Sequence, residues 1–152
     1  GLVGATFDSS NVWAGIIVDG LHCDYSSVRT AKKILGEKLF IVSDAMSFVG
    51  GNTNTLVIDG TEITFKNGRC INTNGDFAGT SITMLDAIKN AVNHVGIELN
   101  EALRMASTYP AKAIGVDDKL GKIDNGYLAN LAIFDNRLEV KGIVCDGEYE
   151  TF

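Results

Sequence analysis

Two carboxylates in this sequence stand where chemistry can use them. Asp19, in Asp19-Gly20-Leu21-His22, follows the apolar run Ala14–Val18, and Asp44, in Ser43-Asp44-Ala45-Met46, follows the run Leu39–Val42. Both runs are short, continuous and rich in β-branched residues, the texture of strands covered on both faces in a parallel sheet. Ligand sites of parallel α/β folds lie at the carboxyl ends of the strands. A carboxylate just past such a strand is therefore placed to bind a ligand or to move a proton. Asp also favours strand ends and helix caps for local reasons, and a single one would be read that way. Two on neighbouring strands, with His22 three residues past the first, put the functional reading on equal footing.

His22 has the chemistry to donate to a phosphate or hydroxyl, to ligate a metal or to shuttle a proton, although a lone histidine beside a glycine turn is commonly just a polar loop residue. His94 falls on the polar side of a helical pattern and is expected in solvent. With two histidines in all, the chain cannot build a multi-histidine zinc site by itself. The segment Gly75-Asp-Phe-Ala-Gly-Thr-Ser81 precedes a helix, and its backbone N–H groups could cradle an anionic or hydroxylated ligand. Gly50-Gly51, soon after the second apolar run, reads as an ordinary turn. The sequence contains no GxGxxG after a strand, no GxxxxGK[ST], no GxSxG and no HExxH, which sets aside the phosphate-loop, nucleophile-elbow and zincin chemistries.

The elements that must hold these residues are legible from periodicity. Ser26–Leu35 places Val28, Ala31 and Leu35 on one face, with Asp24 or Ser26 to cap its start and Gly36 its end. Strand, helix and strand then form a parallel βαβ unit. Thr55–Ile58, Thr61–Phe65 and Arg69–Ile71 are short β-like runs separated by Asp59-Gly60 and Asn67-Gly68. These dipeptides accept the positive φ of type I′ turns, so a three-stranded antiparallel meander is expected. Thr83–Val95 carries a broad apolar stripe, and Thr83 with Asp86 resembles a capping box. A second helix is expected over Asn100–Tyr109 with Asn100 as N-cap, and Pro110 begins a further short turn of helix. From Leu120 the pattern returns to β, with runs at Leu131–Phe134 and Ile143–Cys145 and a turn at Asp146-Gly147.

The 152 residues carry 13 basic and 19 acidic side chains, a net charge of −6, with 45% apolar residues. That composition excludes a disordered chain and argues against nucleic-acid binding, because acidic surfaces repel phosphates. No run approaches the roughly 18 apolar residues of a membrane span, and no signal peptide is visible. Three cysteines at long, irregular spacing read as reduced thiols of a cytoplasmic protein. The chain opens on Gly1 without an initiator Met, so a piece of a longer protein is expected.

Five stretches appear in one order: AGIIVDGLHCD (Ala14–Asp24), LFIVSDAM (Leu39–Met46), GDFAGTSITM (Gly75–Met84), EALRMASTYPAKAIG (Glu101–Gly115) and LGKIDNGYLANLAIFD (Leu120–Asp135). Together they resemble the carboxyl-terminal part of the N-acetylglucosamine-6-phosphate deacetylase family, within the amidohydrolase superfamily, over nearly the whole chain. The resemblance implies an α/β fold: the last two strands of a (β/α)8 barrel (residues 1–119), carrying an inserted β-meander, then part of a small β-sandwich domain (residues 120–152). It implies that Asp44 is the catalytic aspartate, which takes a proton from a metal-activated water and returns it to the leaving sugar amine. It implies that Asp19, Gly20, Leu21 and His22 bind substrate, with His22 toward the sugar or its phosphate. Phe77, Ala78 and Gly79 match a substrate loop where Leu-Ser-Gly is common, so backbone contacts carry over more readily than side-chain ones.

The same resemblance implies a divalent metal, zinc or similar, held by an upstream glutamate and two histidines outside this chain. It also implies an amino-sugar phosphate substrate, a homodimer, and dependence on upstream barrel strands, without which the chain should neither bind the metal nor deacetylate. Two other readings stay open at this stage. One is an amidohydrolase acting on a different amide; the other is a small, non-catalytic α/β ligand-binding module.

Overall fold

The structure, a computed structural model, describes residues 1–66 and 68–151. After a short helix α1 (Leu2–Asp8), strand β1 (Ala14–Ile17), helix α2 (Tyr25–Leu35) and strand β2 (Leu39–Val42) form the expected strand–helix–strand unit. β1 and β2 pair in parallel, Ala14 opposite Leu39 and Ile17 opposite Val42. The Asp24 carboxylate caps α2 by accepting from the Ser26 N–H at 2.8 Å, and Gly36 ends it at φ +57. Burial departs from expectation in both strands: no residue of β1 is fully buried and Gly15 is exposed. Leu39 and Ile41 are buried while Phe40 and Val42 are only half-buried, so β2 is covered fully on one face by the described residues.

The covered face rests on helices. α3 (Met84–Asn90) starts at a complete capping box: the Thr83 hydroxyl accepts from the Asp86 N–H and the Asp86 carboxylate accepts from the Thr83 N–H. It runs on through a π-helical turn, Ala91–Val95. Val18, Val28, Leu39, Ile41, Ile88 and Met105 form one core with these helices. Burying each large side chain contributes about 1.5–3 kcal/mol. The predicted helix Asn100–Tyr109 is in fact two: α4 (Leu99–Ala106), with Glu98 at the N-cap and Asn100 inside, and α5 (Thr108–Ala113). The chain breaks at Ser107, whose φ/ψ of −134/−67 leaves the helical region, and Pro110 sits in the first turn of α5, where a missing N–H costs nothing.

The meander forms as β3 (Thr55–Ile58), β4 (Thr61–Lys66) and β5 (Arg69–Asn72), antiparallel throughout. Asp59 and Gly60 both have positive φ, +49 and +77, as a type I′ turn requires. Of the second expected turn, Asn67 lies outside the described residues. A third sheet joins β6 (Leu131–Phe134), β7 (Val140–Cys145) and β8 (Glu148–Thr151). β8 had no sequence signal. All three cysteines are free thiols. No helix among the described residues is long and apolar enough to cross a membrane.

One polar cluster ties the helical layer together. The Glu101 carboxylate on α4 pairs with Lys32 on α2, accepts from Arg104 Nε at 2.8 Å and accepts from the Tyr109 hydroxyl at 2.9 Å. Burial pushes the Glu101 carboxyl up, but the bonds from Lys32, Arg104 and Tyr109 more than offset it, and the net displacement is downward. A carboxylate depressed in the folded state stabilises at neutral pH, and that contribution is lost as pH falls through the folded-state value. Replacing Glu101 by Gln should therefore cost about 1–3 kcal/mol near neutrality. The gap to wild type should narrow below about pH 4.5 in urea unfolding; a gap that stays constant with pH would contradict this assignment.

Candidate active site

The turn after β1 folds on its own aspartate. Asp19 Oδ1 accepts from the Leu21 and His22 N–H groups, both at 2.9 Å, and Oδ2 lies 2.6 Å from His22 Nδ1. The Asp19 side chain is 3% exposed and that of His22 19%. Gly20 makes the turn possible: its φ is +72, and a Cβ there would lie 2.7 Å from the Tyr25 ring. Burial pushes the Asp19 carboxyl up, but the His22 ring and the two backbone amides pull it further down, so the net displacement is below its ordinary value. His22 Nε2 is buried and has no partner among the described residues.

The segment after β2 is held from the other side. The β1–β2 pairing ends at Ile17 opposite Val42, and Asp19 and Asp44 each lie two residues beyond it. There the chain meets Thr80 in a parallel bridge with Ala45. The Thr80 N–H donates to the Asp44 carbonyl at 2.8 Å, the Met46 N–H donates to the Thr80 carbonyl at 2.9 Å, and the Thr80 hydroxyl donates to the Ser43 carbonyl at 2.6 Å. Thr80 is 3% exposed. Asp44 takes a left-handed φ of +51 and is exposed. No donor among the described residues reaches its carboxylate.

The third segment hangs from the meander. The Ala78 N–H donates to the Cys70 carbonyl at 3.0 Å, Phe77 bridges Ile71, and Asn72 Oδ1 accepts from the Asn74 and Asp76 N–H groups at 2.9 Å each. This sets the ring of Phe77, a residue 47% exposed, 4.7 Å from the His22 ring, with the Arg69 guanidinium 5.7 Å from the Phe77 centroid. Gly79 closes the loop at φ +75; a Cβ would stand 2.5 Å from Met46 Sδ and 3.0 Å from the Asp44 carbonyl. The turn of Asp19, Gly20, Leu21 and His22, the Asp44 segment and the loop of Phe77, Ala78 and Gly79 thus converge at the carboxyl ends of β1 and β2.

The two aspartates differ in what they can do. Asp19 is turned onto its own turn and is saturated, whereas Asp44 presents an open carboxylate that can take or give a proton. The Gly75–Ser81 segment offers less than expected as a cradle, because the amides of Asp76, Ala78 and Thr80 are committed internally. His94 is exposed as expected and also stacks on Tyr25 at 4.9 Å. Sequence reasoning missed Thr80, Tyr25 and Arg69; only the small, polar character of Thr80 between a glycine and a helix cap hinted at it. No group of three His, Cys, Asp or Glu among the described residues is arranged to hold a metal ion. An open, mainly apolar cleft of about 980 Å³ lies elsewhere, between α3, α4 and the β6–β7 sheet, lined by Ile88, Leu103, Phe134 and Val140.

Comparison with known proteins gives a consistent picture. The chain is 47% identical over 152 residues to the N-acetylglucosamine-6-phosphate deacetylase of Haemophilus influenzae, covering 99% of this chain and 40% of that protein. A putative N-acetylgalactosamine-6-phosphate deacetylase of Escherichia coli K12 is 29% identical, covering all of this chain and 91% of that protein. The crystal structure of the Pasteurella multocida N-acetylglucosamine-6-phosphate deacetylase superposes with a TM-score of 0.95 at 47% identity, over all of this chain and 40% of that one. The chain thus spans about 40% of the length of the Haemophilus and Pasteurella proteins. The amidohydrolase family model matches residues 8–149, and the chain belongs to the amidohydrolase family.

Proposed function

We propose that this chain supplies the carboxyl-terminal part of a deacetylase that hydrolyses N-acetylglucosamine 6-phosphate to glucosamine 6-phosphate and acetate. The observation that carries the reading is the bridge of Thr80 to the Asp44 segment. It fixes an unpaired, exposed carboxylate at the parallel strand ends, beside a loop packed on His22. Identity of 47% to a glucosamine-type deacetylase against 29–33% to galactosamine-type ones favours the glucosamine substrate.

In this reading residues 1–119 complete a (β/α)8 barrel as its last two strands plus the meander, and residues 120–152 contribute to a small β-sandwich domain. A divalent ion, held by residues outside this chain, would supply an acidified water, and the described residues alone do not fit such an ion. What this chain contributes is separate from the ion. Asp44 holds the proton released in hydrolysis and returns it to the leaving amine, because its carboxylate is exposed and unbonded. Gly20, Leu21 and His22 contact the sugar or its phosphate, Asp19 shapes their turn, and the backbone of Phe77, Ala78 and Gly79 lines the sugar's other side. The full-length protein acts as a homodimer, as the family resemblance implies. The three free thiols support a reducing cytoplasmic setting.

Two substitutions in the full-length protein test this. Asp44→Asn should lower kcat on N-acetylglucosamine 6-phosphate by about 10²–10⁴-fold with the fold intact by circular dichroism; near-normal turnover would remove Asp44 from its role. Gly79→Ala should drive the loop off Met46 and the Asp44 carbonyl, lowering kcat/KM by about tenfold or more. Wild-type kinetics in that variant would show that the bridge does not position the site.

A further inference from the structure

We propose that Asp19 is a positioning residue: it engages Nδ1 of His22, so that the imidazole meets its ligand through Nε2. The proposal rests on the reading above that the turn after β1 lines the substrate site. The geometry separates two jobs within one carboxylate. Oδ1 accepts the Leu21 and His22 backbone N–H groups and makes the turn, while Oδ2 lies 2.6 Å from the His22 ring at Nδ1. An ionised carboxylate only accepts hydrogen bonds, so this short contact requires a hydrogen on Nδ1. The bonds that converge on Asp19 keep it ionised, with its carboxyl below the ordinary value despite burial.

Once Nδ1 is committed, Nε2 is the ring atom left to act. It is buried and unpartnered among the described residues, and its ring lies 4.7 Å from Phe77, which is itself half-exposed at the strand ends. Buried polar atoms in folded proteins almost always find a partner, and an orphan marks where one is missing. In the neutral ring, Nε2 of the Nδ1–H tautomer is an acceptor. The ligand group matching that form is a hydroxyl or amide N–H, both of which an N-acetylhexosamine carries, whereas in the imidazolium Nε2 would donate to an anionic oxygen such as the sugar's phosphate. The arrangement parallels histidines whose second nitrogen is fixed by a carboxylate so that the first points at the reacting partner.

Asp19→Asn discriminates between turn-making and ring-fixing. The amide oxygen can still accept both backbone N–H groups, but the NH₂ group replaces the acceptor facing Nδ1. Long-range ¹H–¹⁵N spectra of the full-length protein, with His22 assigned by a His22→Gln control, report which nitrogen carries hydrogen. The expected result is hydrogen on Nδ1 in wild type and on Nε2 in Asp19→Asn, with kcat/KM on N-acetylglucosamine 6-phosphate falling about 10–100-fold. Hydrogen on Nε2 alone in wild type would overturn the proposal even if the variant fails to fold, as would a folded Asp19→Asn with unchanged tautomer and kinetics. A wild-type protein with hydrogen on Nδ1 but no deacetylation of amino-sugar phosphates would uphold the Asp19 assignment and sink the substrate reading instead, so the two failures are distinct.

Discussion

The contact on which the site depends is the short parallel bridge between Ala45 and Thr80. Thr80 makes bonds to Ser43, Asp44 and Met46 within one strap. With it, the backbone is held on both sides of Asp44, a residue whose left-handed φ of +51 costs an L-residue free energy and persists only where the surroundings over-determine it. Asp tolerates that conformation better than most side chains. The result is a carboxylate whose backbone is fixed while its oxygens stay free.

The same strap carries position from the meander to the strand ends. β5 holds Ala78 through Cys70 and Phe77 through Ile71. Phe77 in turn closes over His22. Gly79 lets the loop pass against Met46 and the Asp44 carbonyl. The meander is thus more than a surface hairpin: it is the arm by which one loop reaches both strand-end turns. The chemistry then divides by burial. Asp19 is enclosed and saturated by its own turn, which suits a residue that orients a neighbour. Asp44 is open, which suits one that exchanges a proton.

Much of this was readable from residue order, for local reasons. The βαβ unit followed from two apolar runs flanking a helical stripe, and the Asp24 cap, the Thr83–Asp86 capping box and the Asp59-Gly60 turn are all contacts within a few residues. What escaped was set by distance in sequence. Thr80 bonds Ser43 across 37 residues, and nothing near Thr80 announces that partner. β8 is exposed at every position, so it has no apolar alternation and exists through its ladder to β7. Asn100 reads as a cap, but Glu98 takes that place, and the helix breaks at Ser107, whose dihedrals leave the helical region just ahead of Pro110, which has no N–H to bond the Ala106 carbonyl. At the site, the residues were legible but not their orientation: sequence put Asp19 and Asp44 at equivalent places, and only the structure shows one facing inward and the other out.

The central claim, that Asp44 moves a proton, is tested most directly by chemical rescue. Glycine accepts a positive φ readily, so Asp44→Gly in the full-length protein should keep its backbone while losing the carboxylate. The account predicts that added formate restores deacetylation in a concentration-dependent way and that neutral formamide does not. Undiminished activity without formate, or equal response to both additives, would contradict it.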